Sequence, residues 1–154
     1  MMRPLLILLM ALIATPALAQ PRITEPQVRA FVARQEQLWN AGDLARYFAA
    51  YTPDARFTDQ AYAGDKPPVP YGTSTVAQAR AQARKAAAAK PHETGRVTRV
   101  AIAADGRSAR VEATVFATLK TRRLCAARVQ TLVLAAGQLR SSGQTDTYVR
   151  CRGG

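Results

Sequence analysis

Between positions 109 and 120 the chain alternates with a period of two. Ala109, Val111, Ala113, Val115, Ala117 and Leu119 form one set, and Arg110, Glu112, Thr114, Phe116, Thr118 and Lys120 stand between them. A period of two sends the two sets to opposite faces of a β-strand, so this segment predicts a long strand with one buried face. Such a strand needs neighbours and a cover. Residues 95–103 predict its partner, joined through Asp105-Gly106, the strongest two-residue hairpin signal. Residues 124–134 and 138–150 predict two more strands, turned at Ala136-Gly137. The second half of the chain is thus an expected antiparallel meander.

The first half has the helical period and supplies the cover. Thr24-Glu25-Pro26-Gln27 reads as a capping box with proline in the first turn, where its missing N–H is no loss. Val28, Phe31, Val32, Gln35, Leu38 and Trp39 then recur at helical spacing, and Gly42 suits a left-handed stop. Asp43 caps a second helix with Leu44, Tyr47, Phe48 and Tyr51 on its apolar face. Thr52-Pro53-Asp54 reads as a turn and residues 56–59 as a short strand. Residues 60–72, with Pro67, Pro68 and Pro70, are expected to be irregular. The alanine-rich run over 73–90 predicts a third helix stopped by Pro91, with a thin apolar face. Helices followed by strands imply an α+β domain, with three N-terminal helices packed on one face of a curved antiparallel sheet.

Residues 1–19 read as a signal peptide. Arg3 is the positive start, residues 5–13 are a continuous apolar run too short to span a membrane, and Ala17-Leu18-Ala19 is a cleavage box. The mature chain then begins at Gln20, residues 20–154 form a single domain, and the location is periplasmic or secreted, with no membrane span after cleavage. Of the 154 residues 22 are Lys or Arg and 10 are Asp or Glu, a formal net charge of +12. The arginines are dispersed over helices (Arg29, Arg34, Arg46) and strands (Arg96, Arg99, Arg107, Arg110, Arg128). Aromatic residues do not interleave with them as a nucleic-acid stacking platform requires, so no specific nucleic acid is expected. The densest groups are Arg80-Arg84-Lys85 and Lys120-Thr121-Arg122-Arg123, read as solvated faces. Two cysteines and one histidine, His92, cannot build a Cys/His zinc site. No phosphate loop, dinucleotide fingerprint or nucleophile elbow occurs, so no cofactor and no metal is expected.

The stretch Trp39-Asn40-Ala41-Gly42-Asp43-Leu44, followed by Tyr51-Thr52-Pro53-Asp54-Ala55-Arg56-Phe57-Thr58-Asp59, resembles the opening of the nuclear transport factor 2-like superfamily in its SnoaL-like and ketosteroid-isomerase-like branch. The resemblance runs from Glu25 to Arg150. It implies a cone: a curved sheet wrapped around the first helix, with a pocket at the open end. This fold hosts isomerases, dehydratases, cyclases, epoxide hydrolases and non-catalytic binding or assembly domains, so it does not by itself name a function. In ketosteroid isomerases an Asp abstracts a proton while a Tyr and a protonated Asp stabilise the enolate. Asp59 falls at the position of the base, Gln35 at that of the tyrosine and Val129 at that of the second acid. Only one of the three parts survives, which argues against steroid isomerisation as such.

Three readings follow. The first is an exported small-molecule-binding domain with an apolar cone-shaped pocket lined by Gln35, Trp39, Tyr51 and Phe57, for a hydrophobic or amphipathic ligand. The second is a cofactor-independent isomerase, lyase or hydrolase with Asp59 as general acid/base. The third is a dimeric interaction module using the outer face of the sheet, and a homodimer is compatible with the family. Each residue has a plain alternative: the aromatic residues as core, Asp59 as a loop cap, Asp43 as a helix cap, Asp54 in a turn, His92 on the surface. Cys125 and Cys151 are expected to form a disulfide, given an oxidising compartment and an even count. With a two-residue turn, paired numbers on the last two strands total 273, whereas facing cysteines need 276. A bulge or longer turn is therefore required.

Overall fold

The structure is a computed structural model and describes residues 21–151. The signal-peptide reading of residues 1–19 and the start at Gln20 lie outside the described residues. The elements are α1 (Glu25–Asn40), α2 (Leu44–Ala49), β1 (Tyr51–Ala61), β2 (Val69–Thr75), α3 (Val76–Ala86), a 3-10 turn (Ala87–Ala89), β3 (His92–Ile102), β4 (Ser108–Leu119), β5 (Arg122–Ala135) and β6 (Gln138–Val149). The six strands make one curved, unclosed sheet in the order β2-β1-β6-β5-β4-β3, with the three helices packed on it. The class is α+β. The sheet is mixed, because β1 lies parallel to β6 while every other pair is antiparallel. No hairpin joins β1 to β6, so no tight turn forces them to run in opposite directions.

Two apolar clusters hold helices to sheet. Val28, fully buried on α1, packs with Ile23, Ala109, Val111 and Leu132, and Phe31 and Val32 flank them. Burying a side chain such as Val28 contributes roughly 1.5–3 kcal/mol. The second cluster joins Tyr47 and Phe48 of α2, Tyr51 and Ala55 of β1 and Ala83 of α3, with Leu38, Trp39 and Phe57 around them. At the start of α1 the Thr24 backbone N–H donates to Gln27 Oε1 at 2.9 Å, and the same box recurs at Thr75 and Gln78.

Several boundaries differ from the sequence reading. Tyr51 opens β1 instead of closing α2, and β1 runs through the expected turn at Thr52-Pro53-Asp54. The turn chemistry survives as an irregularity: β1 advances from Tyr51 to Arg56 while β6 advances only from Ser141 to Gly143. Part of the expected irregular segment is the edge strand β2. Pro70 is tolerated there because an edge strand has one row of unpaired N–H groups. α3 begins at Val76, capped by Thr75, and its last turn tightens at Ala87–Ala89 before Lys90 turns left-handed with φ 46°. The residue before a proline is disfavoured in the helical region, and here Pro91 follows.

The disulfide Cys125–Cys151 is formed, with a Cα–Cα distance of 5.2 Å. The register shows how. Pairs from Ala135–Gln138 to Leu132–Ser141 keep the two-residue-turn register, a bulge then shifts it by one, and Cys125 faces Val149. The chain leaves the ladder after Val149, and Cys151 closes onto Cys125.

Candidate functional site

Alternation along β5 puts Ala126, Arg128, Gln130 and Leu132 on one face, and Leu132 fixes that face as the one packed against Val28 of α1. Two polar side chains are therefore carried inward. Arg128 spans two carboxylates. Its Nε and Nη2 donate to Asp146 Oδ1 and Oδ2 at 2.7 and 2.9 Å, and its Nη1 and Nη2 donate to Glu93 Oε1 and Oε2 at 2.5 and 3.2 Å. The side chains of Arg128, Glu93 and Asp146 are only 17%, 14% and 13% exposed. The planar guanidinium fork suits such double bidentate pairing. Burial works against the Arg128 charge, but Asp146 and Glu93 outweigh it and hold its pKa well above the ordinary arginine value.

The network continues inward. Gln144 Nε2 donates to Asp146 Oδ2 at 3.1 Å, Tyr51 donates its hydroxyl proton to Gln144 Oε1 at 2.8 Å, and Gln130 Nε2 donates to the Tyr51 oxygen at 3.3 Å. The Tyr47 hydroxyl lies 3.1 Å from that of Tyr51. Burial pushes Tyr47 up to about 12 and Tyr51 well above its usual value, so both phenols are neutral donors. A cavity of about 30 Å³ lies beside them, lined by Gln35, Tyr47, Tyr51, Glu93, Arg128 and Gln144 among others. That is room for one or two water molecules. Gln35 is buried, and its Oε1 has no hydrogen-bond partner among the described residues. The interior thus differs from the apolar pocket expected of the sequence, because β3, β5 and β6 each send polar side chains into it.

Asp59 stands further along the same sheet. It pairs with Gly72 of β2 and lies beside Asp146 in the parallel ladder. It shares the face of Phe57, whose ring packs on Tyr51 at 4.6 Å and on Phe48 at 5.8 Å. Partial burial and the neighbouring Asp146 charge raise its pKa, against the opposing pull of the Tyr148 hydroxyl and of Arg128. A bulge opposite Asp59 and Gln60 leaves Tyr71 unpaired on β2, and its ring approaches Tyr148 at 6.4 Å. Burial and the Asp59 charge push both phenols upward. The result is a carboxyl group flanked by two tyrosines.

Of the residues singled out in the sequence, Gln35 and Tyr51 meet at the inner cavity. Trp39 and Phe57 lie in the aromatic layer, Trp39 with its ring 5.2 Å from Tyr47. Asp59 does not line the inner cavity and reaches it only through Asp146 and Arg128. Val129 pairs with Thr145 one residue out of phase with Arg128, so it lies on the opposite face of the sheet. Asp43 caps α2 by accepting from the Arg46 backbone N–H at 3.1 Å, and His92 is exposed at the start of β3. Sequence reasoning missed Arg128, Glu93, Asp146 and Gln144 as site residues, and it left Tyr47, the second tyrosine, between pocket and core. One signal was available: Arg128 alternates with Ala126, Gln130 and Leu132 in a strand that needs one buried face. Among the described residues no group of three or more His, Cys, Asp or Glu is placed to hold a metal ion.

Solved structures match over most of the chain. A nuclear transport factor 2-like protein of unknown function from Shewanella oneidensis superposes with a TM-score of 0.62 at 10% identity, covering 79% of this chain and 97% of its own. The chain has the nuclear transport factor 2-like fold. A ketosteroid isomerase-like protein from Erwinia carotovora atroseptica matches at TM-score 0.61 and 11% identity, over 82% of this chain and 96% of its own. The protein Aln2 from a Streptomyces species matches at TM-score 0.57 and 26% identity, over 80% of this chain and 89% of its own. No protein-family model and no curated protein matches the sequence. In this nuclear transport factor 2-like cone, Arg128 and its carboxylates fill the interior behind α1, and Asp59 stands on β1 beside the edge strand.

Proposed function

We propose that the protein is an exported small-molecule-binding domain whose ligand enters at the mouth of the cone, where Asp59 exchanges a proton with it. The observation that carries this reading is the pairing of Asp59 with Asp146. Asp146 is held by Arg128 and Gln144, and Asp59 is the neighbouring carboxyl with raised proton affinity. A carboxyl whose proton affinity is raised by burial and by a neighbouring carboxylate is suited to carry a proton. The chemistry is that of a cofactor-independent isomerase, lyase or hydrolase. Ionised Asp59 takes a proton from an acidic C–H of the ligand and returns it at a neighbouring atom, while the neutral hydroxyl of Tyr71 is the donor for the oxygen that gains charge. The rings of Tyr71, Tyr148 and Phe57 suit a hydrophobic or amphipathic ligand. The disulfide supports an oxidising compartment, and no helix among the described residues is long and apolar enough to cross a membrane.

The test is native mass spectrometry of protein purified from the exported fraction, followed by incubation of any co-purifying molecule with the protein in deuterated water. Wild type is expected to exchange the acidic C–H, and Asp59→Asn to slow that exchange by about 10²-fold or more. Unchanged exchange in Asp59→Asn assigns the residue to binding or structure. Failure to retain or bind any small molecule refutes the reading as a whole.

A further inference from the structure

The face of the sheet that points away from the helices carries a second recess. Alternation on β4 and β5 turns Thr114, Phe116 and Cys125 to that face, and Val115 and Ala126, opposite in phase, line the recess between them. The C-terminal segment Val149, Arg150 and Cys151 borders it, and the disulfide ties that segment down. Between them lies a groove of about 710 Å³, more than twenty times the inner cavity and within the ~300–1,000 Å³ range of small-molecule sites. Its walls are apolar and open to solvent, with Phe116 46% and Val149 41% exposed.

The unpaired charge around this groove has one sign. No Asp or Glu stands between Glu112 and Asp146, and both of those side chains are engaged, Glu112 with Arg110 and Asp146 with Arg128. At the groove's end the β4–β5 hairpin turns at Lys120-Thr121, followed by Arg122 and Arg123, all exposed. Arg123 is two residues from Cys125 on the same strand, so it follows Cys125 on the groove face at ~7 Å. Arg150 itself borders the groove. Among the described residues none of Lys120, Arg122, Arg123 and Arg150 forms a salt bridge.

We propose that this groove binds a single anionic amphiphile, a molecule with an acyl-like chain and a carboxylate head. The chain lies along Phe116, Val149 and the disulfide, and the head meets Arg123 and Arg150. The site is separate from the cone and from Asp59, so it stands whether or not the cone is catalytic. The apolar walls give the chain a place to leave water, and the unpaired guanidinium groups select the sign of the head.

The experiment titrates the oxidised protein with dodecanoate below its micelle-forming concentration. Dodecyl maltoside and dodecyltrimethylammonium, of equal chain length, serve as neutral and cationic comparators. Dodecanoate is expected to bind about tenfold or more tightly than either, with amide shifts confined to the segments around Phe116, Arg123 and Val149. The exposed double change Arg123→Glu with Arg150→Glu should weaken dodecanoate about tenfold and leave the maltoside unaffected. Phe116→Ser should weaken all three. Equal affinity for the three heads overturns the proposal. So do shifts at Asp59 and Tyr71, a dimer in solution that buries Phe116, and binding to phosphatidylglycerol vesicles without binding of dodecanoate.

Discussion

Replacing Arg128 by methionine removes the cation and keeps the length of the apolar stem. The structure then holds Glu93 and Asp146 facing the same space, with four charge-assisted hydrogen bonds lost. Removing one partner of a buried ion pair typically costs ~3–5 kcal/mol, because the remaining charge is desolvated and uncompensated. Here two carboxylates are orphaned, so the upper half of that range is expected at neutral pH. At roughly 3–5 °C per kcal/mol for a chain of this size, the melting temperature should fall by about 12–25 °C. The triple change Glu93→Gln, Arg128→Met, Asp146→Asn should regain most of the loss, because neutral groups leave no buried charge. Urea unfolding followed by circular dichroism at pH 7.5 measures both variants. A loss below ~1 kcal/mol for Arg128→Met, the size of an exposed pair, would refute the description of Arg128 as a buried bridge. Full recovery in the triple variant would show that the network is not needed for stability, which leaves function as the reason for it.

Asp59 makes a second prediction, with its sign fixed by burial and by Asp146. A carboxyl with a raised folded pKa stabilises the fold below the unfolded value and loses that contribution as pH rises through the folded value. Asp59→Asn should therefore be more stable than wild type at neutral pH, and the difference should vanish in acid; thermal melts from pH 3 to 8 decide it. Replacing Cys125 and Cys151 by serine opens a loop of 26-residue separation and should cost about 3–4 kcal/mol, read from denaturant midpoints. No change in midpoint would mean the unfolded chain is not constrained by the bond. N-terminal sequencing of the exported protein should begin at Gln20, and a chain beginning at Met1 contradicts export by cleavage.

The fold was legible wherever a local pattern and the tertiary environment asked for the same thing. The alternation over 109–120 is β4, Thr24 and Gln27 cap α1, and Asp105-Gly106 turns the β3–β4 hairpin. It was not legible where a distant partner decided. The β2 strand has a proline and polar residues and exists because β1 offers an edge, and the parallel β1–β6 contact joins segments about ninety residues apart, which no local signal reports. The site divides in the same way. Asp59 and Gln35 were reachable through the resemblance, which carries positions one at a time. Arg128, Glu93 and Asp146 come from three strands, and their meaning lies in the pairing. A charged residue on the inward face of a strand reads as surface until its counter-charges are known.

Proton exchange at the mouth of the cone requires Asp59 to be the group that carries the proton. The direct measurement is a ¹³C titration of the Asp59 side-chain carboxyl in the folded protein, repeated with Asp146→Asn. The predicted result is a midpoint above the ordinary aspartate value of about 3.9, moving down towards it when the Asp146 charge is removed. A midpoint at or below the ordinary value in wild type, unmoved by Asp146→Asn, would contradict it.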